Sequence, residues 1–163
     1  MRTLITNGLV VTAGGSYPAD VLVDGETIAL LGADLAGAGV TADATIDATG
    51  KYVVPGGIDV HTHMELPFGG TFAKDTFETG SKAAAHGGTT TIIDFAVQSK
   101  GMALREGLDV WMAKAEGNAV LDYGFHMIMS DVNDATLAEM DQLVAEGVPE
   151  FKLFTAYPGV LYS

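Results

Sequence analysis

Three side chains in this sequence have the types and spacing to hold a metal ion. His61 and His63 are one residue apart in Val53-Val-Pro-Gly-Gly-Ile-Asp-Val-His-Thr-His-Met-Glu-Leu-Pro-Phe-Gly-Gly70, and Lys152 stands alone in Glu150-Phe-Lys-Leu-Phe-Thr-Ala156. The first stretch reads as a buried strand with an apolar start. Residues two apart on a strand share a face, so His61 and His63 project together, with Asp59 one step behind them. Two converging imidazoles suit a zinc-like ion. The alternative is two histidines that only hydrogen-bond inside a barrel; the flanking Pro-Gly-Gly-Ile-Asp and Pro-Phe-Gly-Gly segments favour the metal. Lys152 shares a face with Glu150 and Phe154. Pointing into a barrel, its ammonium would be desolvated and its pKa pushed down. The neutral amine can then take up carbon dioxide to become a carbamate, an anionic ligand able to bridge two metals. The alternative for Lys152 is a strand-end lysine paired with Glu150.

Elements of two kinds must position these groups. Residues 3–12 and 20–31 are β-rich and punctuated by Asn7-Gly8 and Asp24-Gly25, which supply the positive φ that tight hairpins need. Ala44-Thr-Ile-Asp47 is a third short strand. The first fifty residues thus form a small all-β unit without a cluster of catalytic side chains.

From Tyr52 the pattern becomes strand, loop, helix, repeated. Asp75-Thr-Phe-Glu78 has the form of a capping box opening a helix through Ala85, which Gly87-Gly88 should end. Thr89 to Phe95 is a second buried strand, followed by a helix near Leu104 to Glu116. Tyr123 to Met129 is a third strand, and Ala135 to Glu146 a helix with Leu137, Met140, Leu143 and Val144 on one stripe. Glu150 to Ala156 is a fourth strand. Near-continuous apolar strands alternating with helices indicate a parallel sheet covered by helices. An eight-unit barrel needs about 250 residues, so the sequence reaches halfway round one. Either the sheet is open and doubly wound or this is the amino-terminal part of a longer barrel, and an inward Lys152 favours the barrel: the fold class is α/β, with residues 1–52 a small all-β unit and residues 53–163 the first four units of a (β/α)8 TIM barrel.

Composition narrows the function classes. The chain has 163 residues, 48% hydrophobic, and a net charge of −13 with only eight Lys and Arg, which opposes binding to nucleic acid or an anionic membrane surface. Without cysteine there are neither disulfides nor thiolate ligands, leaving histidine, carboxylate and modified lysine to coordinate. A run of about 20 apolar residues, as a membrane-spanning helix requires, does not occur. Met1 is not followed by a basic-then-apolar leader, which makes a cytoplasmic location the expectation.

Taken together, Pro55-Gly-Gly-Ile-Asp-Val-His-Thr-His63, Pro67-Phe-Gly-Gly-Thr71, Gly87-Gly-Thr-Thr-Thr-Ile-Ile-Asp-Phe95, Asp122-Tyr-Gly-Phe-His126 and Phe151-Lys-Leu-Phe-Thr-Ala-Tyr157 resemble the dihydropyrimidinase or D-hydantoinase family of cyclic amidohydrolases. The resemblance runs over the whole chain. It implies a metal-dependent barrel with two Zn2+ or similar ions, flanked by a β-sandwich built from both chain ends. By that match His61 and His63 bind the more buried ion, carboxylated Lys152 bridges the pair, and Tyr157 donates a hydrogen bond to the developing oxyanion. Leu66, Phe68 and Phe154 match the apolar residues around the exocyclic substituent of the substrate. Pro158 departs from the residue expected after the tyrosine.

The implied reaction is hydrolysis of the ring amide of a 5,6-dihydropyrimidine or 5-substituted hydantoin to an N-carbamoyl amino acid, in a homo-oligomer, tetramer or dimer. Two further histidines and an aspartate would come from later strands, so these 163 residues alone are expected to be inactive. Allantoinase-type chemistry is the alternative within the enzymes. A non-enzymatic assembly role, as in the collapsin response mediator proteins, is the alternative outside them; intact His61, His63, Lys152 and Tyr157 favour the enzyme. Of the other titratable residues, His86 reads as a helix-end cation and His126 as inward-capable on its strand. Asp59 reads as an orienting partner of a histidine, and Asp94 as structural or orienting.

Overall fold

The structure, a computed structural model, describes residues 1–156. Two compact units divide it, Met1–Pro55 and Gly56–Ser163.

The first unit is one mixed sheet of β1 (Arg2–Thr12), β2 (Gly15–Asp24), β3 (Thr27–Gly32), β4 (Ala44–Asp47) and β5 (Tyr52–Val53). The order is β3-β2-β1-β4, and β5 also pairs with β1. Val10, Ala19 and Val21 form its buried cluster. Asp24-Gly25 makes the expected tight turn, with Gly25 at φ 61° between paired Asp24 and Thr27. Asn7-Gly8 does not. Asn7 has φ 62° inside β1, where the register with β2 slips between Ile5 and Gly8, a bulge rather than a reversal. The buried Asp20 carboxylate fixes it, accepting the Asn7 and Leu35 amides at 2.9 Å each. The chain turns back five residues later, after Thr12, which pairs with Gly15.

The second unit holds β6 (Gly57–Thr62), the hairpin β7 (Pro67–Phe68) and β8 (Thr71–Phe72), α1 (Phe77–His86), β9 (Thr89–Val97), α2 (Leu104–Ala115), β10 (Asp122–Met129), α3 (Asp134–Ala145) and β11 (Phe151–Leu153). Its main sheet is parallel throughout in the order β11-β10-β9-β6. Strand and helix alternate as expected for the first half of the barrel. Ile92, Leu104, Met127, Ile128, Met129 and Leu143 are fully buried, so the core lies along β9 and β10 and under the helices.

Three local expectations are corrected. The histidine strand begins at Gly57, not Val53, because Tyr52–Val53 pairs with β1 instead. Within the described residues β6 lies at the edge of its sheet, with Ile58 63% exposed. Gly56 precedes it because a side chain there would collide with Thr90, whose atoms lie 2.2 Å from the place of a Cβ. The cap of α1 sits one residue later than Asp75. Thr76 Oγ1 accepts the Thr79 amide at 3.1 Å and Thr79 Oγ1 accepts the Thr76 amide at 3.0 Å, while Glu78 pairs with Lys82 one turn on. This register buries Phe77 completely. On α3 the inward stripe is Thr136, Met140 and Leu143, whereas Leu137 and Val144 face out. Asn133 and Thr136 close a capping box, and Thr136 Oγ1 lies 3.0 Å from the Asp131 carbonyl, which sets that rotation.

Candidate metal centre

The site grows from an irregularity in β6. Asp59 pairs with Ile92 of β9 and Thr62 with Asp94, so Val60 and His61 together face one residue and have no partner of their own. Such a bulge re-aims the side chains beside it. The strict alternation expected from Asp59 to His63 therefore fails at its first step. Asp59 does not orient an imidazole; its Oδ1 accepts the His61 backbone amide at 3.1 Å. The Val60 carbonyl lies 3.2 Å from His126 Nε2.

Beyond the bulge Asp94 takes over. Its carboxylate is fully buried, and Oδ2 accepts the Thr62 hydroxyl and the Met64 amide, both at 2.8 Å, on either side of His63. Oδ1 accepts the Phe95 amide at 2.8 Å. Burial raises the Asp94 pKa against the pull of these donors.

His61 and His63 meet edge to face with ring centroids 5.1 Å apart. Phe95 lies against both, at 4.6 Å and 5.0 Å. Across the sheet Lys152 reaches to 3.3 Å between Nζ and His61 Nε2, over the faces of Phe95 and Phe154. Burial lowers the lysine's pKa. Burial, then Lys152, then His61 push the His63 imidazole down to about 4, which keeps it neutral. The pairing of Lys152 with Glu150 is not formed among the described ion pairs. Glu150 Oε2 stands instead 3.2 Å from His126 Nδ1, off the axis of a hydrogen bond.

A metal ion fits these residues. His63 Nδ1 is buried without a hydrogen-bond partner, an arrangement that costs free energy unless something accepts its lone pair or proton. Among the described residues no three His, Cys, Asp or Glu side chains gather; the nitrogen that stands beside the two imidazoles is that of Lys152, 3.3 Å from His61 Nε2. His126 joins the same aromatic stack, 5.0 Å from Phe95, but turns its Nε2 to a carbonyl and not to the pair.

The remaining expected residues are spread more widely. Phe154 lies beside Lys152, Leu66 packs against the core, and Phe68 sits on the β7–β8 hairpin, whose turn uses Gly69 and Gly70 at positive φ. His86 ends α1 and is exposed. Tyr157 lies outside the described residues. Two contributors carried little signal in the sequence. Phe95 is the floor beneath all the nitrogen donors. Gln98, 1% exposed, ties the ends of β9 and β10 by accepting the Ser130 and Asp131 amides at 3.0 Å.

The same chain is 64% identical to the D-hydantoinase of Streptomyces coelicolor over 164 residues, which is 99% of this chain and 35% of that one. It is 50% identical to the D-hydantoinase of Geobacillus stearothermophilus over all of its own length and 34% of the relative's. The crystal structure of dihydropyrimidinase from Brevibacillus agri superposes with a TM-score of 0.94 at 52% identity, covering 100% of this chain and 35% of that one. The chain thus spans about a third of the length of the relatives it matches. Residues 52–161, from the last strand of the first unit through the His-x-His strand and beyond Lys152, match the Amidohydrolase family, a metal-dependent family to which this chain belongs.

Proposed function

We propose that this chain carries the first metal ligands of a cyclic amidohydrolase that opens the ring amide of 5,6-dihydropyrimidines or 5-substituted hydantoins. The carrying observation is the approach of Lys152 to within 3.3 Å of His61, whose ring meets that of His63 at 5.1 Å, together with the unpartnered buried Nδ1 of His63. Similarity to proteins named D-hydantoinase and dihydropyrimidinase supports the substrate class.

In this reading His61 and His63 would hold one divalent ion through their imidazole nitrogens. The Lys152 amine could add to carbon dioxide with release of a proton, and the resulting carbamate would supply an anionic oxygen ligand beside the imidazoles. When bound, such ions lower the pKa of water to about 7 and polarise a carbonyl oxygen. The chain's own residues do the rest. Phe95 packs against both imidazoles and lies under the Lys152 amine. Leu66, Phe68 and Phe154 are apolar enough to take the substituent at ring carbon 5. Tyr157 holds the developing oxyanion by donating its phenolic proton. Water adds across the amide, the ring C–N bond breaks, and the nitrogen leaves with a proton as part of the N-carbamoyl group.

The test is made on the full-length protein. Purified with zinc and bicarbonate, it should hydrolyse dihydrouracil or a 5-substituted hydantoin, lose turnover on chelation, and regain it when a divalent metal is restored. Full turnover in metal-stripped protein, or none on either ring with the metal restored, overturns the reading.

A further inference from the structure

Resting on the metal-binding reading of His61 and His63, we propose that His126 is a positioning residue for that pair: its Nε2–H holds the Val60 carbonyl and so fixes the bulge that aims the His61 ring. Val60 and His61 lack partners on β9, so their backbone groups must be satisfied elsewhere. Two side chains meet that need. Asp59 takes the His61 amide from the same strand, and His126 reaches the Val60 carbonyl from β10, 3.2 Å away. A carbonyl oxygen offers only lone pairs, so the nitrogen facing it carries the proton.

Nothing about packing alone calls for an imidazole there. The neighbours Met127 and Ile128 are fully buried hydrocarbon or thioether, and His126 is 8% exposed among them. Its other nitrogen faces Glu150, two residues before Lys152. One ring therefore touches the strand of His61 and the strand of Lys152, although β9 and β10 lie between those strands in the sheet. Its stack on Phe95, which lies against both metal-site histidines, ties the same ring to the floor of the site. Side chains that orient ligands from behind set metal affinity without touching the metal.

Two variants separate the donor from the ring. His126→Gln keeps an N–H at the same number of bonds from Cβ but removes the aromatic stack; His126→Phe keeps the stack and removes the donor. In the full-length protein, zinc dissociation constants are measured by competition with a chromophoric chelator, beside thermal unfolding of the metal-free forms. His126→Phe should bind zinc roughly 10- to 100-fold more weakly, and His126→Gln should restore most of that loss. Wild-type affinity in His126→Phe overturns the proposal, as does an equal loss in both variants. Should His126→Phe not fold, His126→Gln decides by itself: retained affinity upholds the donor role, and a tenfold loss ends it. Failure of the wild-type protein to bind zinc would instead remove the metal reading beneath it.

Discussion

The edge strands and the central strands of the parallel sheet divide the labour unequally. Within the described residues β6, of six residues and largely exposed, carries His61 and leads directly into His63, and β11, of three residues and mostly half-buried, carries Lys152. β9 and β10, of nine and eight residues, are largely buried and carry no proposed ligand. Their contribution is to reach sideways. Asp94 holds the residues flanking His63, Phe95 supports both imidazoles and the lysine, and His126 meets the bulge. The strands that display the chemistry thus take their geometry from neighbours that hold them from the side. A ligand side chain that holds no buried polar partner can be removed at little cost to folding, whereas its support cannot.

The sharpest break of that comparison comes at Lys152. Replacing it by Ala removes the only proposed anionic ligand in the described residues while exposing no buried polar partner, so folding should barely change. In the full-length enzyme, turnover should fall by at least about 10²- to 10³-fold, the scale of losing one strong charge-stabilising group. Short carboxylic acids should restore part of it by occupying the carbamate's place. Steady-state kinetics with and without propionate, alongside a melting curve, checks both halves. A variant that is active, or one that is unfolded, contradicts the division.

Asp94→Asn attacks the central strands instead and should do the reverse. Neutralising the side chain relieves the burial that raises its pKa, which by itself would stabilise. Against that, the donors from Thr62, Met64 and Phe95 converge on two oxygens, and an amide offers only one acceptor oxygen and turns its NH2 toward the others. The loss should dominate, at about 2–3 kcal/mol for hydrogen bonds to a buried charged group. Denaturant unfolding of the metal-free full-length variant measures it. An unchanged midpoint would mean that Asp94 is a bystander to the histidine segment.

Such pairings also mark what the sequence could and could not reveal. The order of elements was legible because each long apolar run is bounded by Gly or a capping residue, and the match extends to Ala44–Asp47 as a separate strand. The convergence of Lys152 on His61 was legible because residue type and strand face both restrict it. The bulges were not. At Asn7 the positive φ was correctly anticipated, but a left-handed Asn serves a bulge as readily as a hairpin, and only the carboxylate of Asp20, thirteen residues away, selects between them. At Val60 no residue type announces the irregularity; the side chains that meet it are Asp59 of the same strand and His126 of β10. Helix rotation failed in the same way. Leu137 looked inward by spacing, yet the cap at Asn133 and the hydroxyl of Thr136 turn it out. Asp94 gave a signal that can be used elsewhere: a lone carboxylate within Thr-Thr-Thr-Ile-Ile-Asp-Phe has no solvent to face, and so must be gathering donors.

The smallest effect belongs to a residue outside both sets of strands. Thr76 caps α1, and its hydroxyl accepts the Thr79 amide while Thr79 answers with its own side chain. Thr76→Ala removes one of those bonds and leaves an amide at the first turn to water. Because the position is exposed, the loss should be that of an ordinary N-cap, about 1 kcal/mol. Nothing in the capping box touches His61, His63 or Lys152. Zinc affinity and turnover should therefore match wild type while the denaturation midpoint falls. If zinc affinity fell together with stability, the helices would share in aiming the ligands. The separation between strands that display and strands that hold would then have to be redrawn as a property of the whole unit.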